Sequence, residues 1–194
     1  MNPPSPPLHV QFMSRADVES FTPPPNAMLI SISDTPDDKA HIQPAMWRQV
    51  GMYHFVDGGY DEEAIATFGS DFDRIYGADY FTPEKADTMR ADIDHMVGSK
   101  PELLVVNCQA GRSRSAAVAQ YISERYGATI SQETPEANLT VLRLLRLDSS
   151  LNKAIQDARA GKLETLMQET DDPKPKRGFF SSILELFGIE QSPK

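Results

Sequence analysis

The chain alternates short apolar runs with segments in which apolar residues recur every three or four positions. These spacings are typical of buried strands and of amphipathic helices. The apolar runs predict strands at residues 8–12, 28–33, 50–56 and 103–107. The periodic segments predict helices at residues 14–21, 61–68, 82–97, 114–126, 135–147 and 150–160. Strands separated by helices favour an α/β fold, with a central, mostly parallel sheet of about four strands flanked by helices.

Two of these helices begin with recognisable capping signals. Ser14 precedes Asp17 by three residues, the spacing of an N-terminal cap. Thr82 stands before Pro83, so that a threonine caps the helix and a proline occupies its first turn. We therefore expect helices to begin at these two points.

Composition divides the chain of 194 residues into four parts. Residues 1–7 form a proline-rich start that we expect to be disordered. Residues 8–168 suit a single α/β domain with its own core. Residues 169–177 are polar and contain proline, as linkers do, and residues 178–194 form an amphipathic C-terminal tail.

The tail has one apolar helical face. Its members are Phe180, Ile183, Leu184 and Phe187. Three cations, Lys174, Lys176 and Arg177, come just before it. An apolar face beside cations can bind a membrane surface or the groove of a partner protein through residues 178–189. Docking onto the chain's own domain is the other interpretation, and the one that we favour.

The strongest chemical signal is the segment 107–115, Asn-Cys-Gln-Ala-Gly-Arg-Ser-Arg-Ser, which follows a buried apolar run and precedes a predicted helix. Backbone amides of such a loop, together with the positive end of the helix dipole, attract an anion. Gly111 allows the loop to curl tightly, and Arg114 carries a planar fork of donors that suits two phosphate oxygens. The segment therefore predicts a phosphate-binding loop.

The same surroundings favour a thiolate at Cys108, the only cysteine of the chain. Positive surroundings lower the pKa of a thiol, whose free value is about 8.5. A thiolate beneath a bound phosphate is placed to attack phosphorus. Ser115 can donate a hydrogen bond to the sulfur and so improve it as a leaving group.

This segment resembles the signature of the cysteine-dependent protein tyrosine phosphatase superfamily, and its residues are most similar to those of the dual-specificity branch. The matching residues are Cys108, Ala110, Gly111, Ser113, Arg114 and Ser115. Residues 27–32 and 53–57 are weakly similar to core strands of the family. Residues 81–86 are similar to the start of the helix before the phosphate loop in small bacterial and phage-type members. The resemblance covers roughly residues 8–160.

The resemblance implies a phosphatase-like catalytic domain that hydrolyses phosphomonoesters through a phosphocysteine intermediate. The substrate would be a phosphorylated protein, carrying phosphotyrosine and also phosphoserine or phosphothreonine, or a small phosphomonoester. No cofactor is implied. The residues implied to bind the phosphate group are Gln109, Ala110, Gly111, Arg112, Ser113, Arg114 and Ser115.

One position departs from the family pattern. Asn107 stands where the family usually has a histidine that organises the loop and lowers the pKa of the thiol. Asparagine donates hydrogen bonds but carries no charge, so we expect a higher pKa than that histidine would give. Two alternatives stay open: a phosphate-recognition module that binds without turnover, and a rhodanese-like sulfurtransferase.

Hydrolysis also needs a general acid, because the departing oxygen leaves slowly unless it is protonated. Asp57 fits by topology, since it follows a predicted strand and precedes two glycines. Asp79 fits by its distance from the cysteine, just before the helix that begins near Thr82. We favour Asp57 and keep Asp79 as the alternative.

The charge and the histidines narrow the range of ligands. The net charge of −9 argues against nucleic acid as a partner. The four histidines, at positions 9, 41, 54 and 95, do not have the spacing of metal ligands, so we predict no metal.

The compartment that the sequence favours is the cytoplasm. A lone cysteine excludes an internal disulfide framework and suits a reducing environment. The first residues lack the charged-then-apolar order of a signal peptide, and no apolar run is long enough to span a membrane. A cytoplasmic location is therefore expected.

Overall fold

The computed structural model describes residues 7–162 of the chain. Its centre is a sheet of five parallel strands in the order β3-β2-β4-β1-β5. The strands are β1 (His9–Ser14), β2 (Met28–Ser33), β3 (Gln49–His54), β4 (Leu103–Cys108) and β5 (Thr129–Ile130). The α/β fold is confirmed, and its arrangement is consistent with that of a phosphatase. The expected four strands are joined by a fifth, the two-residue β5, which pairs with the start of β1.

Seven α-helices flank the sheet within residues 7–162. They are α1 (Arg15–Ser20), α2 (Glu62–Phe68), α3 (Phe72–Tyr76), α4 (Pro83–Gly98), α5 (Arg114–Tyr126), α6 (Leu139–Leu145) and α7 (Ser149–Arg159). Three short 3-10 helices lie at Pro36–Asp38, Pro44–Met46 and Gly69–Asp71. The sequence pattern did not predict α3, which has only five residues.

Both predicted helix starts are confirmed. The side chain of Ser14 accepts a hydrogen bond from the amide of Asp17, and the Asp17 carboxylate accepts one from the amide of Ser14. Thr82 Oγ1 accepts from the amide of Lys85, with Pro83 in the first turn of α4. These caps satisfy amides that the first helical turn leaves without partners.

Several element boundaries differ from those predicted, and two of the differences change the setting of polar residues discussed below. Strand β3 ends at His54 rather than at residue 56, so Asp57 lies in a loop three residues further on. Helix α6 begins at Leu139 rather than at residue 135, because the side chain of Asn138 caps it by accepting from the amide of Val141.

The sheet has an apolar layer on each face. In β4 at the centre of the sheet, Val105 packs into the smaller layer with Leu29 and Trp47. Its neighbours Leu104 and Val106 pack into the larger layer, which the long helices α4 and α5 supply. Alternate residues of one strand thus face opposite layers, as strand geometry requires. Cys108 ends the series on the side of the larger layer.

Several expectations fall outside the described residues. The proline-rich start at 1–7 is described only at its last residue, and the linker at 169–177 and the amphipathic tail at 178–194 lie outside residues 7–162, as does the end of the domain expected at 168. Within residues 7–162, the helices are too short or too polar to cross a membrane.

Candidate active site

The candidate site lies where the parallel strands at the centre of the sheet end together. Cys108, the last residue of β4, is in register with Ser14 at the end of β1. On the other side of β4, Asn107 is in register with Ser31 of β2, which ends shortly before Asp34. The loop that follows Cys108 therefore runs between the start of α1 and the loop that leaves β2. Ligands of open α/β sheets bind at such an edge.

The loop is held against the start of α1 by a close backbone approach. The amide of Arg15 donates to the carbonyl of Gln109 at 3.3 Å. Gly111 has φ of +70°, and a Cβ there would stand 2.2 Å from the backbone nitrogen of Ser14. Only glycine fits this position, because a side chain would collide with backbone and would also strain the left-handed conformation.

The thiol of Cys108 is buried, with 1% of the residue exposed. Its Sγ lies 3.1 Å from the hydroxyl of Ser115. Burial raises the pKa of the thiol, but hydrogen bonds from the Ser115 hydroxyl and from backbone amides outweigh it, so the pKa lies below its ordinary value. Those amides belong to Ser115, Gly111 and Arg112. The lowered pKa of a buried thiol is the condition for a nucleophilic thiolate.

Arg114 brings a buried positive charge to the same place, with only 2% of its side chain exposed. Its Nη1 donates to Oδ1 of Asp34 at 2.6 Å and to the carbonyl of Phe55 at 2.5 Å. Its Nε is buried and has no hydrogen-bond partner among the residues described. A buried donor without a partner is costly, so this guanidinium suits an acceptor that arrives as a ligand.

Asp57 is brought to the loop. Its Oδ1 accepts from Ser113 Oγ at 2.7 Å and from the side-chain amide of Asn138 at 3.0 Å. Its Oδ2 lies 4.0 Å from Nε of Arg114. Asp57 therefore touches the candidate site through both oxygens.

Asp79 takes a different position. Its backbone carbonyl accepts from the amide of Val56 at 2.8 Å. Its side chain lines a recess of about 560 Å³ together with Asp34, His54 and Lys85, and makes no hydrogen bond to the loop within residues 7–162. Of the two aspartates considered from the sequence, the structure brings only Asp57 into contact with the loop.

The remaining residues predicted to bind phosphate form the rim of the loop. Gln109 and Ala110 are exposed, and the side chain of Gln109 accepts from Arg15 at 2.8 Å. Arg112 is also exposed and forms an ion pair with Glu136 at 3.3 Å. The rim is thus tied to α1 on one side and to the segment before α6 on the other.

Asn107 is buried beneath the loop, with 1% exposure. Its side-chain oxygen has no hydrogen-bond partner within the described part of the chain. It contributes no charge to the thiol, and the lowered pKa of Cys108 comes from Ser115 and the loop amides instead.

Asp34 and Asn138 reach the site without having been identified from the sequence. Asp34 directly follows a strand that neighbours β4, and the ends of parallel neighbours meet at one edge, so its position was a usable signal. Asn138 was not identified because the helix was predicted to start at residue 135, which placed Asn138 inside the helix instead of at its N-cap.

No group of three or more histidine, cysteine, aspartate or glutamate side chains within residues 7–162 is arranged to hold a metal ion. The sequence matches no model of a known protein family, and no curated protein is significantly similar to it.

Proposed function

We propose that the protein is a phosphatase that hydrolyses phosphomonoesters through a phosphocysteine intermediate formed on Cys108. The observation that carries the proposal is one arrangement of two buried groups. The Cys108 thiol has a lowered pKa, and Arg114, at the end of the same loop, has a buried Nε with no hydrogen-bond partner within residues 7–162. A phosphate group supplies the anion that this donor lacks and the phosphorus that the thiolate attacks.

Arg114 is oriented for a bidentate contact. Asp34 and Phe55 occupy Nη1, on the side of the guanidinium next to the aliphatic stem. The opposite edge carries Nε and Nη2, whose N–H bonds run parallel and match two oxygens of a phosphate. The backbone amides of the loop and the positive end of α5 add further stabilisation.

In the first step Sγ of Cys108 forms a bond to phosphorus while the bond from phosphorus to the ester oxygen breaks. The departing oxygen takes a proton from Asp57. Oδ1 of Asp57 already accepts two hydrogen bonds, so the proton is carried on Oδ2, the oxygen nearer Arg114. The products are an alcohol or phenol, phosphocysteine and the Asp57 carboxylate.

In the second step the Asp57 carboxylate accepts a proton from water as the water oxygen bonds to phosphorus. The bond from phosphorus to Sγ breaks, inorganic phosphate is released and the thiolate returns. Ser115, 3.1 Å from Sγ, donates a hydrogen bond that stabilises this leaving thiolate. The chain's own groups therefore balance every proton in the cycle.

The test is hydrolysis of para-nitrophenyl phosphate between about pH 5 and 8 by the wild type, Cys108→Ser, Asp57→Asn and Asp79→Asn. We expect no turnover from Cys108→Ser and loss of the high-pH limb in Asp57→Asn. Asp79→Asn is the matched control and keeps the wild-type profile. A wild type that binds orthovanadate through Arg114 but shows no turnover would identify a phosphate-binding module and refute the enzyme.

A further inference from the structure

Asn138 joins three segments of the candidate site. Its backbone amide donates to the carbonyl of Ser113 in the loop at 3.2 Å. Its side-chain nitrogen donates to Oδ1 of Asp57 at 3.0 Å and to the carbonyl of Gly58 at 3.2 Å. Its side-chain oxygen accepts from the amide of Val141 and caps α6. Its backbone carbonyl accepts from the amide of Leu142 at 3.0 Å, so every polar group of Asn138 has a defined partner.

The oxygen and the nitrogen of the Asn138 side-chain amide have separate roles. Capping needs only the oxygen, and serine or aspartate caps a helix as well as asparagine does. The nitrogen is not needed for the cap, and its two acceptors are Oδ1 of Asp57 and the carbonyl of Gly58. The side-chain nitrogen of Asn138 therefore serves the contact with Asp57 and not the helix cap.

The contact determines which oxygen of Asp57 carries the proton. Oδ1 accepts from Asn138 and from Ser113, so a proton on that oxygen would have to displace a donor. Oδ2 stays free of these donors and lies 4.0 Å from Nε of Arg114, on the side where the phosphate is proposed to bind. An acid has to present its proton to the departing oxygen in this way.

We propose that Asn138 is a positioning residue that directs the proton-bearing oxygen of Asp57 at the leaving group. This inference rests on the proposed phosphatase function. The contribution of Asn138 to the rate should therefore increase with the basicity of the leaving group. Substrates with strongly basic leaving groups, such as alkyl or phenyl phosphates, depend on Asn138. Substrates with weakly basic leaving groups do not.

The test compares two substrates in matched variants. Asn138→Ser keeps a capping oxygen but is too short to reach Asp57, and Leu139→Ala is the control, a change at a neighbouring side chain that is 71% exposed. With phenyl phosphate, kcat/KM of Asn138→Ser, which reports only the steps up to departure of the leaving group, should fall about tenfold, part of the hundredfold or more that a general acid contributes. With 2,4-dinitrophenyl phosphate it should change less than about twofold, because that leaving group needs little protonation.

Two further variants separate positioning from general damage. In an Asp57→Asn background, adding Asn138→Ser should cause no further loss, because both changes remove the same effect. Asn138→Asp also keeps the cap but places a second carboxylate against Asp57, so the high-pH limb of activity should move to higher pH. Loss of structure alone would not move that limb upward.

The outcomes distinguish the two proposals. Equal losses on both substrates, or an additive loss in the double variant, would overturn the role of Asn138 while leaving the phosphatase intact. Absence of Cys108-dependent turnover in the wild type would overturn both.

Discussion

Arg114 donates a 2.6 Å hydrogen bond from Nη1 to Oδ1 of Asp34, a residue eighty positions earlier in the chain. The guanidinium is buried, whereas 47% of the Asp34 side chain is exposed. Asp34 therefore lies at the rim of the site, and its hydrogen bond fixes the orientation of the buried Arg114 guanidinium. Nε of the same guanidinium has no hydrogen-bond partner within residues 7–162.

Replacement of Asp34 should weaken anion binding. Asp34→Ala removes the partner that orients Arg114, and the affinity for orthovanadate should fall about tenfold, the size expected for one hydrogen bond to a charged group. Asp34→Asn keeps an acceptor and should lose less. Inhibition constants for orthovanadate measure both, with Asp37→Ala as a control at an exposed position of the same loop. Tighter binding by Asp34→Ala would show instead that the Asp34 carboxylate competes with the anion.

Ser115 should affect both the thiol and the second chemical step. The Ser115 hydroxyl lowers the pKa of Cys108, so Ser115→Ala should raise it. Alkylation by iodoacetamide should then need a higher pH, since only the thiolate reacts. Breakdown of phosphocysteine should slow about 100-fold, as for loss of one donor to a developing negative charge.

Ser123→Ala is the matched control for Ser115→Ala, because Ser123 lies on the same helix and donates to the carbonyl of Ala128 instead. It should leave the alkylation profile unchanged. An unchanged profile in Ser115→Ala as well would show that the loop amides alone stabilise the thiolate.

The tight turn at Gly111 gives a prediction about stability. Gly111 and Gly127 have nearly the same φ, +70° and +67°, but a Cβ at Gly127 meets no atom within 4 Å. Gly127→Ala should therefore cost about 1 kcal/mol from the left-handed conformation alone. Gly111→Ala should cost more by about 2 kcal/mol, because its Cβ would overlap the backbone of Ser14. Unfolding in urea measures the difference, and equal costs would argue against the close approach.

The ion pair of Glu62 and Arg143 gives a pH dependence of stability. Hydrogen bonds from Arg143 and then from Ser150 lower the pKa of Glu62 to about 2. A carboxyl with a lowered pKa stabilises the fold above its unfolded pKa of about 4.3, and this contribution is lost as the pH falls toward 2. The contribution should stay below about 1 kcal/mol, because the pair is partly exposed.

Arg143→Met should therefore reduce the loss of unfolding free energy between about pH 6 and pH 3.5. Arg48→Met is the control, because Arg48 donates to the carbonyl of Ser99 rather than to a carboxylate, and it should leave that loss close to the wild-type value. If Arg143→Met loses as much stability on acidification as the wild type does, the Glu62 ion pair does not contribute to the acid sensitivity.

The centre of the fold could be predicted because its signals are local. The apolar run before Cys108 predicts a buried strand. Gly111 and Arg114 follow at positions that fit a loop and then the start of a helix. The caps at Ser14 and Thr82 also depend on residues three positions apart, and both predicted caps are confirmed.

The partners of the site could not be predicted in the same way. Asp34 and Asn138 reach Arg114 and Asp57 across eighty and eighty-one residues, and no local pattern encodes such a pairing. The start of α6 was misplaced because Pro135 resembles a first-turn proline, although the cap from Asn138 to the amide of Val141 is a local signal too. Separation from the cysteine favoured Asp79 and topology favoured Asp57, and only the folded chain shows that Asp57 contacts the loop.

The most direct test is to trap the covalent intermediate. Asp57→Asn, mixed with 2,4-dinitrophenyl phosphate, should form phosphocysteine readily because that leaving group needs no acid. It should break phosphocysteine down slowly because the base for water is missing. Acid quenching followed by peptide mass spectrometry should find one phosphoryl group on the peptide that contains Cys108, and none in Cys108→Ser. Turnover by the wild type without a phosphoryl group on Cys108, or with one on another residue, would contradict the mechanism.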